Sequence, residues 1–132
     1  MLEGIKQKGL PYRVLIIDDS AFIAKQLSQI LSSEGFEVAD TASNGDQGVK
    51  KYVALFPNID LVTMDITMPG LDGVSALEKI LEFDKQATVI MVSAVGNEET
   101  VKNCLQMGAR NYIVKPLERN KVLQRVLPVL KR

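Results

Sequence analysis

The sequence predicts an α/β fold, a doubly wound parallel sheet of five strands with five helices, and three observations support this prediction. Short apolar and β-branched runs of strand length alternate with longer segments of helical periodicity. Glycine, proline or a capping residue stands between most neighbouring segments. Polar residues directly follow several of the strand-like runs, as they do where ligands bind at the carboxyl ends of parallel strands.

The composition of the 132-residue chain is that of a soluble globular domain, with 46% hydrophobic and 24% charged residues. The absence of an apolar run near the ~20 residues of a spanning helix, and of a signal-peptide pattern, predicts a cytoplasmic protein without membrane attachment. Sixteen basic residues balance sixteen acidic ones, so we expect no nucleic-acid binding. Because histidine is absent, histidine-dependent catalytic triads are excluded.

The chain begins with a segment that has no periodicity. Residues 1–11 are predicted to be a loose lead-in, and residues 12–132 to form one domain. Residues 13–17 are predicted to form a strand. After Arg13 its residues are uninterruptedly apolar, which is typical of a strand buried on both faces, and the run ends at Asp18 and Asp19.

The next segments predict a helix, an edge strand and a second helix. Ser20 is a candidate N-cap for a helix that Gly35 ends. Residues 36–42 form a strand of mixed polarity, which suits the edge of a sheet. A helix follows from Gly45 and ends before Pro57.

The middle of the chain contains two buried strands that each lead to a polar side chain. Residues 61–64 are predicted to run into Asp65, and Asp72 then caps a helix. Residues 88–92 form the fourth strand, which ends at Ser93.

The final third predicts a helix over residues 97–108, a strand over residues 111–114 that leads to Lys115, and a last helix from about residue 118. Pro128 removes a backbone donor inside that helix, so we expect a kink or fraying there. The basic residues of this end are typical of a solvated helix face, although they could also dock an acidic partner; they are Arg119, Lys121, Arg125, Lys131 and Arg132.

The predicted sheet gathers Asp18, Asp19, Asp65, Ser93 and Lys115 at one edge. Three carboxylates placed together would repel one another, and Mg²⁺, which prefers oxygen ligands, would remove that repulsion. A lysine and a hydroxyl beside them supply the groups that stabilise a transferring phosphoryl group. An aspartate can act as the nucleophile and become an acyl phosphate.

The chain resembles the receiver domain of two-component response regulators over about residues 12–130. The resemblance rests on five motifs in order: Asp18-Asp19, the run Asp-Ile-Thr-Met-Pro-Gly-Leu-Asp-Gly from Asp65 to Gly73, Ser93-Ala94, Tyr112, and Lys115-Pro116. It implies the strand order 2-1-3-4-5. Each motif alone is more often a turn, a cap or a helix stop, whereas the five together are specific to the family.

The resemblance implies that Asp65 is the phosphoacceptor. Asp19 and Asp65 would ligate Mg²⁺ directly with the backbone carbonyl of Thr67, and Asp18 would act largely through water. Lys115 would pair with the phosphoryl oxygens.

The resemblance also implies a switch. Ser93 would hydrogen-bond to the attached phosphoryl group, and Tyr112 would move from an exposed to an inward rotamer. The Lys115–Pro116 peptide bond would be cis. The side chains of Thr67 and Val95 occupy positions that influence the lifetime of the phosphorylated state in the family.

These expectations define a phosphorylation-dependent binding module, and not an enzyme. The phosphodonor would be a histidine kinase, and the partner would be the flagellar motor switch in chemotaxis, with a phosphatase as a possible further partner and no additional domain after residue 132. The alternative within the family is a relay that passes phosphate to a histidine phosphotransfer protein. Two other classes are an aspartate-dependent phosphohydrolase and a flavodoxin-like electron carrier, and Asp18-Asp19 after the first strand argues against the latter. We expect a monomer.

Overall fold

The computed structural model describes residues 3–6 and 9–130 and confirms the predicted fold class. The strands are β1 (Arg13–Ile17), β2 (Glu37–Ala42), β3 (Leu61–Asp65), β4 (Val89–Ser93) and β5 (Asn111–Val114). The helices are α1 (Ala21–Ser33), α2 (Gly45–Leu55), α3 (Gly73–Phe83), α4 (Glu98–Met107) and α5 (Arg119–Leu130). The strands pair in parallel in the order β2-β1-β3-β4-β5, as expected.

The sheet separates two hydrophobic cores. On one face, Leu27 and Leu31 of α1 and Val122 and Val126 of α5 pack against the strands. On the other face the cover comes from α2, α3 and α4, with Tyr52, Ala76, Leu77, Ile80, Val101 and Cys104. Because both faces are covered, the central strands β3 and β4 are buried along their whole length, and the carboxyl ends of the strands are left open for a site.

Local chemistry begins most of the helices where the sequence indicates. The side chains of Ser20, Asn44 and Asp72 each accept a hydrogen bond from a backbone N–H of the first turn that follows. Asn97 occupies the corresponding position of α4, but its side chain makes no capping hydrogen bond. Glu98 and Glu99 provide the negative charge that the first turn of α4 favours.

The described residues of the predicted lead-in make specific contacts with the rest of the domain. The Gly4 amide donates to Glu34 O at 2.7 Å, and the Tyr12 amide donates to Gly4 O at 2.8 Å. Lys6 Nζ lies 3.0 Å from Asp60 Oδ2. A β-carbon at Gly4 would clash with Phe36, so this segment packs directly on the domain. The sequence offers no periodicity here because backbone hydrogen bonds, which are independent of side-chain pattern, hold the segment.

Two strands extend one residue beyond the predicted ends, so that Asp65 and Ser93 are the last residues of β3 and β4. The ladder continues there because the Ile66 amide donates to Val92 O at 3.1 Å and the Lys115 amide donates to Ser93 O at 2.8 Å. The backbone positions of both residues are therefore held by the sheet itself.

The last helix does not fray at Pro128 within the described residues, since α5 continues to Leu130. Pro128 and Gln124, one turn earlier, are both exposed, so water can replace the missing hydrogen bond. No helix in the described ranges has the length and apolar character required to cross a bilayer.

Candidate functional site

The register of the sheet brings the predicted residues together at its carboxyl edge. Ile17 pairs with Met64, so Asp18 and Asp65, the residues that follow them, lie side by side at the carboxyl ends of β1 and β3. Asp65 pairs with Val92, and Ser93 is the next residue along β4. Ser93 pairs in turn with Val114, directly before Lys115. Side chains almost a hundred positions apart in the sequence therefore share one edge.

The three carboxylates form a compact cluster. One oxygen from each of Asp18, Asp19 and Asp65 can be chosen so that all lie within 4.8 Å of one another. Asp18 and Asp65 are only 3% and 4% exposed, whereas Asp19 is open to solvent. Two carboxylates of the cluster are thus buried, and the third, that of Asp19, is accessible to solvent.

Lys115 is the cation of this cluster. Its Nζ donates to Asp65 Oδ1 at 3.3 Å and lies 3.9 Å from Asp18 Oδ2. The lysine side chain is about one quarter exposed, so a ligand at the mouth of the site can reach it. The Lys115–Pro116 bond is cis, and so is the Phe56–Pro57 bond, which we did not anticipate.

The electrostatic environment favours protons on the buried acids. Burial, the negative charge of Asp18 and the neighbouring Asp19 carboxylate together raise the pKa of Asp65 to about 7, against the lowering effect of Lys115. Burial also raises the pKa of Asp18, although the Ser20 amide and Lys115 oppose this shift. One lysine does not compensate three ionised carboxylates, so either a proton or a further cation would stabilise the cluster.

The donor set fits Mg²⁺. Asp18 Oδ1 accepts a hydrogen bond from the Ser20 amide at 2.8 Å, but the buried Asp18 Oδ2 has no hydrogen-bond partner among the described residues. A buried carboxylate oxygen without a partner is costly, and a cation or its bound water would satisfy it. Three carboxylates without any nitrogen or sulfur ligand are the kind of site that a hard divalent ion prefers. Thr67 is exposed two residues after Asp65, and the ligand role of its carbonyl remains a prediction.

Comparison with known proteins identifies the family. The model of the response regulator receiver domain matches residues 14–127, which is most of the chain. The chain belongs to the response regulator receiver domain family. CheY of Treponema pallidum is 64% identical over 128 residues, covering 97% of this chain and 89% of that protein. CheY of Bacillus subtilis is 46% identical over 117 residues, covering 89% of this chain and 96% of that protein.

Solved structures agree with this assignment. The crystal structure of the CheX-CheY-BeF3-Mg²⁺ complex from Borrelia burgdorferi matches this receiver with a TM-score of 0.96 and 54% identity, over 100% of both chains. The protein is therefore a CheY-like receiver of two-component signalling with relatives in chemotaxis. The receiver domain and the CheY relatives are signalling proteins and not classical enzymes.

The loop after β3 holds the receiver's Asp65 through close backbone packing. The Gly73 amide donates to Ile66 O at 2.8 Å, and Asp72 Oδ1 accepts from the Ser75 amide at 2.8 Å. A β-carbon at Gly73 would lie 2.8 Å from Ile66 Cα and closer still to the Asp65 carbonyl. The loop must therefore have a glycine at the point where α3 begins.

Gly73→Ala is expected to destabilise this receiver by about 1–3 kcal/mol, because backbone must shift to admit the methyl group. Urea unfolding would measure the loss, with Ser75→Ala in the same helical turn as the control. An unfolding free energy of Gly73→Ala equal to that of the control would contradict the packing argument.

The residues proposed for the switch lie on neighbouring strands. Ser93 is 2% exposed at the end of β4, and Tyr112 is half-buried on β5. Arg125, which we grouped with a solvated basic face, instead contacts Tyr112, and its Nη2 donates to Tyr112 Oη at 3.1 Å. Arg125 lies three residues after Val122 and directly before Val126, and both valines are buried. This spacing is a sequence signal that Arg125 lies near the buried face of the helix. Lys131 and Arg132 lie outside the described residues.

Proposed function

We propose that this protein is a chemotaxis response regulator that is phosphorylated on Asp65 by a histidine kinase in an Mg²⁺-dependent reaction. The observation that carries the proposal is the Lys115 ammonium 3.3 Å from Asp65 within a cluster of three carboxylates. Such a cluster has the parts for phosphoryl transfer, since the chemistry is mostly positioning and charge neutralisation.

The transfer step uses the Asp65 carboxylate as the nucleophile. A carboxylate oxygen attacks the phosphorus of the kinase phosphohistidine, a P–O bond forms and the P–N bond breaks. The leaving imidazole keeps the bonding electron pair and takes up a proton. Lys115 pairs with a phosphoryl oxygen as negative charge accumulates, and Ser93 donates a hydrogen bond to the attached group.

The same residues would hold the metal. Asp19 and Asp65 would ligate Mg²⁺ directly together with the backbone carbonyl of Thr67, and Asp18 would act largely through water. When bound, Mg²⁺ supplies positive charge next to the phosphoryl oxygens. The Mg²⁺ and BeF3 named for the Borrelia complex support this assignment.

The output is a change of surface. A phosphoryl group adds nearly two negative charges, which draw Ser93 toward it and allow the Tyr112 ring to move inward. The altered surface of α4, β5 and α5 then binds the flagellar motor switch. A phosphatase and a CheX-type protein are further partners, and the CheX-CheY complex of Borrelia burgdorferi supports the second. We assign this activity to a cytoplasmic monomer, with residues 1–11 as a lead-in and residues 12–132 as the receiver.

Incubation with Mg²⁺ and acetyl phosphate tests the proposal. Intact mass spectrometry is expected to show one added phosphoryl group on the native chain and none on Asp65→Asn. The matched control is Asp60→Asn, which changes a carboxylate directly before the start of β3, at the opposite edge of the sheet. A folded native protein that stays unmodified, or an Asp65→Asn variant modified as fully as the control, would refute the proposal.

The lifetime of the phosphorylated state is expected to depend on Thr67 and Val95. Both side chains are exposed, and each lies two residues after a residue of the site, Thr67 after Asp65 and Val95 after Ser93. We expect Thr67→Asn and Val95→Glu to change the rate of dephosphorylation while phosphorylation still occurs. Decay of the phosphorylated protein after removal of acetyl phosphate measures the effect, and unchanged decay in both variants would contradict it.

A further inference from the structure

Arg125 of α5 contacts Tyr112 from around the edge of the sheet. Helix α5 packs on the face of the sheet that carries the Ile113 side chain, and Val126 of α5 lies in the same hydrophobic core as Ile113. Because side chains alternate along a strand, Tyr112 lies on the other face, against the core beneath α4. β5 is an edge strand, so the long arginine side chain can pass it and reach the ring.

The guanidinium holds the ring by two kinds of contact. Its central carbon lies 4.2 Å from the Tyr112 ring centroid, and Nη2 donates to Tyr112 Oη at 3.1 Å. The first contact is a cation–π interaction. The second is a hydrogen bond that holds the Tyr112 side chain in its observed rotamer.

Asn111 fixes the guanidinium in turn. Arg125 Nη1 donates to Asn111 Oδ1 at 3.4 Å, and Asn111 Nδ2 donates to the Arg125 backbone carbonyl at 3.0 Å. The planar fork of the arginine thus joins two successive residues of β5, which a lysine ammonium could not do with the same geometry. The guanidinium is held by Asn111, so its contacts with the Tyr112 ring break when the ring moves away.

A cavity next to Tyr112 has room for the ring in a second rotamer. A cavity of about 240 Å³ lies between β4, α4 and β5, and Tyr112 itself forms part of its wall. Ser93 and Ala94 line one side, and Val101 and Leu105 provide apolar surface. Since a cavity of about 150 Å³ admits benzene, this volume accommodates a phenol ring.

We propose that Arg125 is a latch, anchored by Asn111, that holds the Tyr112 ring out of the cavity beside Ser93 and must be released when the receiver switches. The trigger for release rests on the proposed function. The latch itself is a property of the unphosphorylated protein, because all of its contacts are present without a phosphoryl group.

The first experiment measures the Tyr112 side-chain rotamer in the unphosphorylated protein by NMR, with labelled tyrosine and Tyr112→Phe for assignment. Arg125→Met keeps most of the aliphatic stem and is expected to raise the population of the cavity rotamer about tenfold, for the loss of one hydrogen bond and one cation–π contact. Arg125→Lys is expected to give a smaller rise. Lys121→Met removes a nearby α5 charge that pairs with Glu118, and should leave the rotamer unchanged.

A second experiment adds beryllofluoride with Mg²⁺ as a phosphoryl analogue. If the latch opposes switching, Arg125→Met should need several-fold less beryllofluoride for half-saturation than the native protein or Lys121→Met. A merely structural role of Arg125 would instead weaken the response. If the native protein fails to respond at all, the proposed function is contradicted while the rotamer measurement still decides the latch. An unchanged rotamer population in Arg125→Met, or an equal change in Lys121→Met, would overturn the proposal.

Discussion

Lys115→Met is expected to slow the phosphorylation of Asp65 by acetyl phosphate about 100-fold or more, the effect of removing one preorganised charge from a transition state. Lys115 Nζ lies 3.3 Å from Asp65 Oδ1, closer than its 3.9 Å to Asp18 Oδ2, so it is directed at the nucleophile. Methionine keeps much of the side-chain volume and loses the charge together with the hydrogen bond to Asp65. The rate of appearance of the phosphorylated species, followed by intact mass at fixed Mg²⁺, measures the loss.

Lys121→Met is the matched control, because Lys121 is a cation of α5 whose side chain is 74% exposed and pairs with Glu118. Its phosphorylation rate should remain within about twofold of the native rate, since an exposed charge at a distance is screened. Circular dichroism with Mg²⁺ present establishes that Lys115→Met is folded. A folded Lys115→Met protein that is phosphorylated at the native rate would remove Lys115 from the mechanism.

The metal-free protein is expected to be more stable near pH 5 than near pH 8. The pKa of Asp65 is raised from 3.8 to about 7 by burial and neighbouring carboxylates, so the folded state binds a proton more tightly than the unfolded state. Between these two values the folded chain carries the extra proton, and unfolding becomes easier as pH rises through this window. We expect a difference of about 1–3 kcal/mol, or several degrees in Tm.

Magnesium should reverse this dependence, because Mg²⁺ binds the ionised carboxylates and stabilises the folded state most at high pH. Thermal unfolding with EDTA and with Mg²⁺ at a series of pH values provides the comparison. Asp65→Asn is the control, since it removes the titrating group and should flatten the pH dependence in EDTA. A native protein in EDTA whose stability rises from pH 5 to pH 8 more steeply than that of Asp65→Asn would contradict the account.

Much of the architecture follows from local sequence signals. Uninterrupted apolar runs such as residues 14–17 favour strands buried on both faces, and capping side chains such as Ser20 and Asp72 mark where helices begin. The gathering of Asp18 and Asp65 at one edge then follows from the parallel sheet alone, before any distance is known.

Other features depend on contacts between distant segments and could not be predicted. The lead-in residue Gly4 is held by a backbone hydrogen bond to Glu34, which leaves no trace in side-chain periodicity. The extension of β4 to Ser93 depends on a hydrogen bond from the Lys115 amide. The spacing of Arg125 from the buried Val122 places it next to the buried face of α5, but only the edge position of β5 brings it to Tyr112.

The most direct test of the central claim is chemical mapping of the phosphorylated residue. Borohydride reduces an aspartyl phosphate to homoserine, so treatment after incubation with acetyl phosphate and Mg²⁺ marks the acceptor for peptide sequencing by mass spectrometry. The account predicts homoserine at Asp65 and at none of Asp18, Asp19 or Asp60. Homoserine at another aspartate, with Asp65 unchanged, would contradict it.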